Sequence, residues 1–453
     1  MHSAEEVRWP VLDGGPTPVT LAGETPWQHD GYRMHLAGRG ARLESVRTQI
    51  LMMDEIRHDP GEALALYADR VESHRGRALH DRWATALELP LFVWERTSPG
   101  RVSWAVPGPT SVAELNSERT RLLLRSAASE TRFVFETSNG EMAAGADGRI
   151  IWTTHDASRL VAIAASGEAD LERNLDLLAR RSISGLGRQR AQHAEQLQRG
   201  GAAMQSKAHP QLADAFDWAK VRADALLGGL LELDAGQHSP GEAIPLAHGL
   251  LAAGLSHLPR ALRRRLLASG DDESVRFRGR TAAWAGELHD AGEPGRRPEL
   301  QPAMIESDAD VAFDLPEVEA IASGGIESSR LASFLACAIG TLWGVVPDAL
   351  NARVTLAPDV TRLGDSAALS RLRVGRTVAD VRCRSRGELV SISIRRGAGP
   401  PIVVDCGVRG LSVTDVLVDG VSVAGSRVRF ELREAHDLQF HLRGRPPLSS
   451  VPS

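Results

Sequence analysis

Cysteine is scarce in this chain of 453 residues: Cys337, Cys383 and Cys406 stand far apart, in apolar or strand-like surroundings. Three thiols so placed imply neither a disulfide framework nor a zinc site, and buried free thiols are the plain reading. Lysine is scarcer still, with Lys207 and Lys220 alone beside abundant arginine. The net charge of −5 is spread along the chain and gives no positive field for nucleic acid or an anionic membrane, so neither is expected as a partner. No run reaches the roughly 18 apolar residues of a spanning helix. MHSAEEVRWP has neither the basic n-region nor the apolar h-region of a secretory leader, and the expected location is cytoplasmic.

Recognised catalytic signatures are missing as well. No Gly-x-Gly-x-x-Gly or phosphate-loop pattern follows an expected strand, and no Gly-x-Ser-x-Gly elbow supports acyl transfer by serine. His-Asp pairs recur at His29-Asp30, His58-Asp59, His80-Asp81, His155-Asp156 and His289-Asp290. A metal site could be drawn from His58, Glu62, His74 and His80, but the spacing fits no known ligand pattern. No metal and no cofactor is expected.

What is present is a change of period along the chain. Residues 1–88 read as loops followed by helices: Leu43, Val46, Ile50, Met53 and Ile56 recur at helical spacing. Asp59-Pro60 opens a second helix, with Ala63, Leu66, Tyr67 and Val71 on one face, running toward Trp83 and Leu87. Over 89–165 the period becomes two, in LFVWE, RVSWAV, RLLLRSA, RFVFETS, GRIIWTT and RLVAIAA, with turns at Ser98-Pro99-Gly100, Ser138-Asn139-Gly140 and Asp147-Gly148. These predict an antiparallel β-sandwich.

Residues 166–207 predict a helical linker, with Ser166 as N-cap, Leu171, Leu175 and Leu178 on one side, and a break at Gly185 and Gly187. Residues 208–350 predict a helical domain, with helices over 210–233, 241–255, 259–269, 272–291 and 327–342 and a short one over 315–322. Alternation returns over 351–443 as a second, C-terminal β-sandwich, and 444–453 reads as a disordered tail. The fold class is therefore α+β multidomain.

Two stretches carry a family resemblance. HPQLADAFDWAKVRADALLGGLL, from His209 to Leu231, resembles the opening helix of the catalytic domain in glycogen-debranching and glucoamylase-like six-hairpin glycosidases. LWGVVPDALNARVTLAPDV, from Leu342 to Val360, resembles the exit from that barrel into a closing β-domain. The resemblance implies an (α/α) toroid between them. Twelve helices with their loops need on the order of 200 residues, whereas His209 to Asp348 spans 140. The toroid is expected to be shortened, with fewer than twelve helices, and its apolar faces covered by N-terminal helices, a protein partner or a second copy.

Inverting enzymes of this architecture use two carboxyl groups about 6.5–9.5 Å apart, one as acid and one as base. Asp234, Glu242, Glu287, Glu306 and Glu327 are the acidic residues available, and Glu242 and Glu327, each opening a helix, are the candidate catalytic pair. The same positions suit helix capping, where a carboxylate gains about 0.3–1 kcal/mol from the dipole. Trp27, in the polar run ETPWQHDGY, and Trp284 are the candidate sugar-stacking aromatics, while Trp94, Trp104, Trp152, Trp218 and Trp343 read as core. The expected function is that of a glycosidase-related protein of α-glucan metabolism, catalytically impaired and acting by carbohydrate or protein binding. The alternative is an active inverting hydrolase of α-glucosidic bonds.

Overall fold

The computed structural model describes residues 16–22, 26–32, 35–39, 42–45, 63–87, 89–104, 110–127, 130–145, 149–232, 240–266, 272–286, 318–323 and 328–443. The chain divides into two compact units, one of Met1–Gln196, Ala225–Asp234 and Val318–Glu327, the other of Leu197–Asp224, Ala235–Glu317 and Ser328–Ser453.

The first unit begins with β1 (Val19–Ala22), β2 (Pro26–Asp30), β3 (His35–Arg39), β4 (Arg42–Ser45), β5 (Ala63–Leu66), β6 (Arg70–Arg75) and β7 (Ala78–Thr85). It continues with β8 (Leu91–Arg96), β9 (Gly100–Trp104), β10 (Thr110–Leu115), β11 (Arg121–Ser126), β12 (Arg132–Ala144) and β13 (Ile150–Ala165). Ten of these form one sheet in the order β1-β5-β6-β7-β8-β13-β12-β11-β10, with β9 also on β13, while β2, β3 and β4 form a small sheet of their own.

The helix expected from Asp59-Pro60 is therefore a correction: from Ala63 onward that segment is β5, β6 and β7, and the sheet begins at Val19 rather than Leu89. Leu64 and Leu66 are buried, with Ala63 exposed and Ala65 half-buried, a period of two that the helical face through Ala63, Leu66 and Val71 had masked. Gly76 turns β6 into β7 at φ +64. The helix expected earlier, through Ile50 and Ile56, falls mostly outside the described residues, and its start, Arg42–Ser45, is β4.

Ser138-Asn139-Gly140 is a bulge, not a turn. Asn139 takes φ +56, and four residues of β13 lie between Arg159 and Thr154, the partners of Ser138 and Gly140. Beyond the bulge β13 changes partner, pairing β8 through 158–163 and β9 through 150–154. One face of the sheet carries Ala84, Leu91, Val93, Val134, Val161 and Ile163, which pack with Leu171 and Leu186 of the following helices. The other face carries Trp83, Trp94, Trp152, Phe92 and Phe135, all buried.

Those helices are α1 (Glu168–Arg181) and α2 (Ile183–Gly200). The cap of α1 is Gly167, and Ser166 donates instead through its hydroxyl to Asp170 at 3.2 Å. Gly185 and Gly187 lie within α2 rather than breaking it. The stretch assigned to a linker ends in a strand, β14 (Ala203–Ser206), which pairs with the C-terminal sheet.

Next come α3 (Leu212–Glu232), α4 (Pro240–Ala252), α5 (His257–Arg265), α6 (Asp272–Ala285), α7 (Val318–Ser323) and α8 (Ser328–Cys337), six helices among the described residues, α8 passing into a π turn at Ala338–Leu342. In the second unit α4 packs on α5, α6 and α8. The C-terminal part of α3 and all of α7 cluster with the first unit instead, α7 against β1 and β2.

The second unit closes with β15 (Val346–Asp348), β16 (Arg353–Leu356), α9 (Val360–Leu363), β17 (Ser366–Val374), β18 (Thr377–Arg386), β19 (Leu389–Ala398), β20 (Ile402–Gly407), β21 (Val413–Val418), β22 (Val421–Val423), β23 (Arg427–Leu432) and β24 (Ala435–Leu442). A seven-stranded sheet, β14-β17-β18-β19-β24-β21-β22, faces a four-stranded one, β15-β16-β20-β23. Leu372, Val374 and Ile394 meet Val354, Val404 and Leu432 around a void of about 10 Å³ between them. Cys383 and Cys406 are buried in this core as free thiols, and burial pushes the Cys383 thiol up to about 12.

Candidate functional site

Glu242 stands in the first turn of α4 with its side chain exposed to solvent. Glu327, its expected partner, lies outside the described residues, as do Asp234, Glu287 and Glu306.

The aromatic candidates are placed differently from expectation. Trp27 lies in β2, only 4% exposed, opposite Gly38 of β3, whose missing side chain leaves the space its ring fills. An aromatic ring laid over a cross-strand glycine covers backbone that would otherwise be open. From Trp27 a row of indoles runs inward through Trp83 at 6.2 Å and Trp94 at 6.3 Å to Trp152 at 5.1 Å. Trp27 is thus the end of a buried aromatic row, because pairing with β3 folds its polar surroundings into a hairpin. Trp284 of α6 is 5% exposed, and its carbonyl accepts the Gly375 amide at 2.7 Å in the β17–β18 turn. Neither ring offers a face on which a sugar could stack.

The Ala-Phe-(acidic)-Trp-Ala-Lys segment has a local explanation in the second unit. Lys220 is wholly buried, paired with Asp217 at 2.7 Å, and donates to the carbonyls of Ala202 at 2.9 Å and Gln198 at 3.3 Å. Arg371 donates to Gln198 and Gly201 carbonyls, both at 2.9 Å. Two cations therefore cap the C-terminal end of α2, where carbonyls lack helical partners and the dipole is negative. Burial lowers the Lys220 pKa, opposed by the Asp217 charge.

Sequence reasoning missed two clusters of buried titratable groups. In the second unit His248 of α4 and Arg280 of α6 lie 3.4 Å apart, Nη1 to Nδ1. Burial, with the Arg280 charge added, brings His248 down to about 4, so the imidazole is neutral in the folded protein. Burial and the Arg276 charge lower Arg280 in turn, against Glu273.

In the first unit Glu72, Arg82, Glu95 and Arg159 alternate in charge across four neighbouring strands, linked at 2.9, 2.9 and 3.1 Å. Arg70 joins them, bonding Glu72 at 2.7 Å and Asp69 at 2.9 Å. Burial raises Asp69 despite Arg70 and Arg190. It pushes Glu72 the same way, but Arg70 and Arg82 outweigh it and hold that carboxyl below its ordinary range. The strand misreading hid this ladder, since cross-strand partners exist only once the register is known.

No family model and no curated protein matches the sequence. Among solved structures the chain is similar to a human-microbiome protein described as a kojibiose phosphorylase, with 6% identity over 92% of each chain and a TM-score of 0.39. It is also similar to the family GH92 alpha-mannosidase from Bacteroides thetaiotaomicron, with 8% identity, 95% of this chain and 86% of the other, and a TM-score of 0.30. A third is the GH92 family glycosyl hydrolase ccman5, 11% identical over 59% of this chain and 56% of that one, with a TM-score of 0.32. At these scores none of them assigns an activity to this chain.

Proposed function

We propose that this chain is a glycosidase-related protein of carbohydrate metabolism that binds α-glucan without cleaving it. The observation that carries the reading is the order of parts. A large antiparallel sheet is followed by α1 and α2, then by helices opening with the His209–Leu231 stretch, most of it a single helix, then by closing β-sheets entered through the Leu342–Val360 stretch. That is the order that resemblance to glycogen-debranching and glucoamylase-like enzymes implies.

Exposure of Glu242 argues against hydrolysis. A glycosidase acid must keep its proton near neutral pH, which calls for an apolar enclosure, and Glu242 stands in water at a helix N-terminus. Its placement suits the helix dipole. Glu242 and Glu327 together remain the pair that an inverting hydrolase would need.

Affinity electrophoresis of the full chain through glycogen-containing gels tests the binding. Retardation that excess maltose relieves is expected. Migration identical to that in a gel without glycogen would remove the glucan reading.

A further inference from the structure

A solvent-facing part of the first unit's sheet holds a depression of about 280 Å³, lined by Arg101 and Ser103 of β9, by Arg149 just before β13 and by Ile151 within it. The strand register puts these side chains together. Ser103 pairs with Ile151 and Arg101 with Thr153, and because side chains alternate along a strand they share one face, while Val102, Trp104, Ile150 and Trp152 are buried on the other. Among the described strands β9 pairs with β13 alone, so the depression lies at a margin of the sheet.

Its charge is positive and largely uncompensated. Arg101 is exposed, and its guanidinium makes no hydrogen bond or ion pair with any described residue. Glu141 of β12 stands on the same face beyond Thr153 and forms no ion pair with it. Arg149 Nη2 donates to the Ser103 carbonyl at 3.4 Å, which draws that guanidinium across to β9. Ile151, half-buried, supplies the apolar part of the floor. Two guanidinium groups and a hydroxyl therefore border one small apolar surface.

We propose that this depression binds a monosaccharide phosphate, with the phosphate held by Arg101, Arg149 and the Ser103 hydroxyl and the sugar ring resting on Ile151. The sugar half of the assignment rests on the carbohydrate reading above, whereas the anion half rests on the arginines. Two guanidinium groups answer a phosphomonoester better than a carboxylate. The phosphate carries about −1.5 to −2 charge near neutral pH and three acceptor oxygens, enough for two planar forks and a hydroxyl donor. The single charge of a carboxylate is matched by one guanidinium. Volume limits the rest of the ligand. At about 280 Å³ the depression sits at the lower end of the roughly 300–1,000 Å³ of pockets for drug-sized ligands, which leaves room for one ring rather than an oligosaccharide. Among the described residues no carboxylate lines it, so the ligand is held and not cleaved.

Isothermal titration calorimetry of the full chain with glucose 6-phosphate tests the site. Saturable binding in the millimolar range or tighter is expected, with inorganic phosphate competing, glucose not competing, and glucuronate bound on the order of 10-fold more weakly. Arg101→Gln, at an exposed position, should keep the circular dichroism spectrum and weaken binding on the order of 10-fold. Arg101→Lys should fall between, because lysine keeps the charge and loses the fork. Retardation in glycogen gels should be the same for Arg101→Gln as for the unaltered chain, which separates a failure of this site from a failure of the glucan reading. Absence of saturable glucose 6-phosphate binding, equal affinity for glucuronate, or unaltered affinity in Arg101→Gln would overturn the proposal.

Discussion

Packing between α4 and α6 sets the charge of a single imidazole. His248 is held neutral because burial penalises its cation and Arg280, close by, repels it; Arg276 and Glu273 are the other charges acting on that guanidinium. With a folded pKa of about 4 against about 6.5 in the unfolded chain, the unfolded state binds the extra proton between those values. Stability from this group is therefore complete above pH 6.5 and is lost as the pH falls toward 4. The loss is about 3 kcal/mol by the usual conversion of pKa shift to free energy. Urea unfolding at pH 7 and pH 4.5 should show a smaller drop for His248→Gln than for the unaltered chain, and equal drops would contradict the account. Neither His248 nor Arg280 stood out in the sequence, because their partnership joins residues 32 apart on different helices. Trp27 misled for a related reason, since the Gly38 that receives its ring is distant until β2 and β3 pair.

Elements were legible where periodicity and caps agreed, and obscure where pairing decided. The helices from Glu168 to Cys337 announce themselves by three- and four-residue spacing of apolar groups, and their observed starts fall close to those expected. In β5 to β7 the same apolar residues satisfy both periods, and only the long-range register selects the strand. Likewise Ser138-Asn139-Gly140 has the composition of a turn, but continuous pairing on both sides makes it a bulge that redirects β13. Gly140 is required there by close approach. A Cβ would stand 2.7 Å from the Thr153 carbonyl and 2.8 Å from Trp152 Nε1, which is already engaged with Thr137 Oγ1 at 2.7 Å. Gly140→Ala should therefore destabilise the first unit by about 1–3 kcal/mol, as overpacking does. Thermal unfolding followed by near-ultraviolet circular dichroism would show it, and an unchanged midpoint would mean that the bulge has slack.

At the scale of the molecule, the sequence divided the helical and β-rich stretches but did not disclose which unit each helix would join. The C-terminal part of α3 and all of α7 belong with the first unit, so fewer helices are left to the second than the sequence count suggested. The large apolar side chains most exposed among the described residues, Val112, Val275, Val346 and Val421, lie on four separate elements. The candidate site was less legible than the fold: Glu242 was correctly expected at a helix start, but a helix start open to water is a poor place for a general acid. The most direct measurement of the central claim is glucose release from maltose, isomaltose, trehalose and glycogen by the full chain. The account predicts none above buffer. Turnover that disappears in both Glu242→Gln and Glu327→Gln, with the circular dichroism spectrum unchanged, would contradict it.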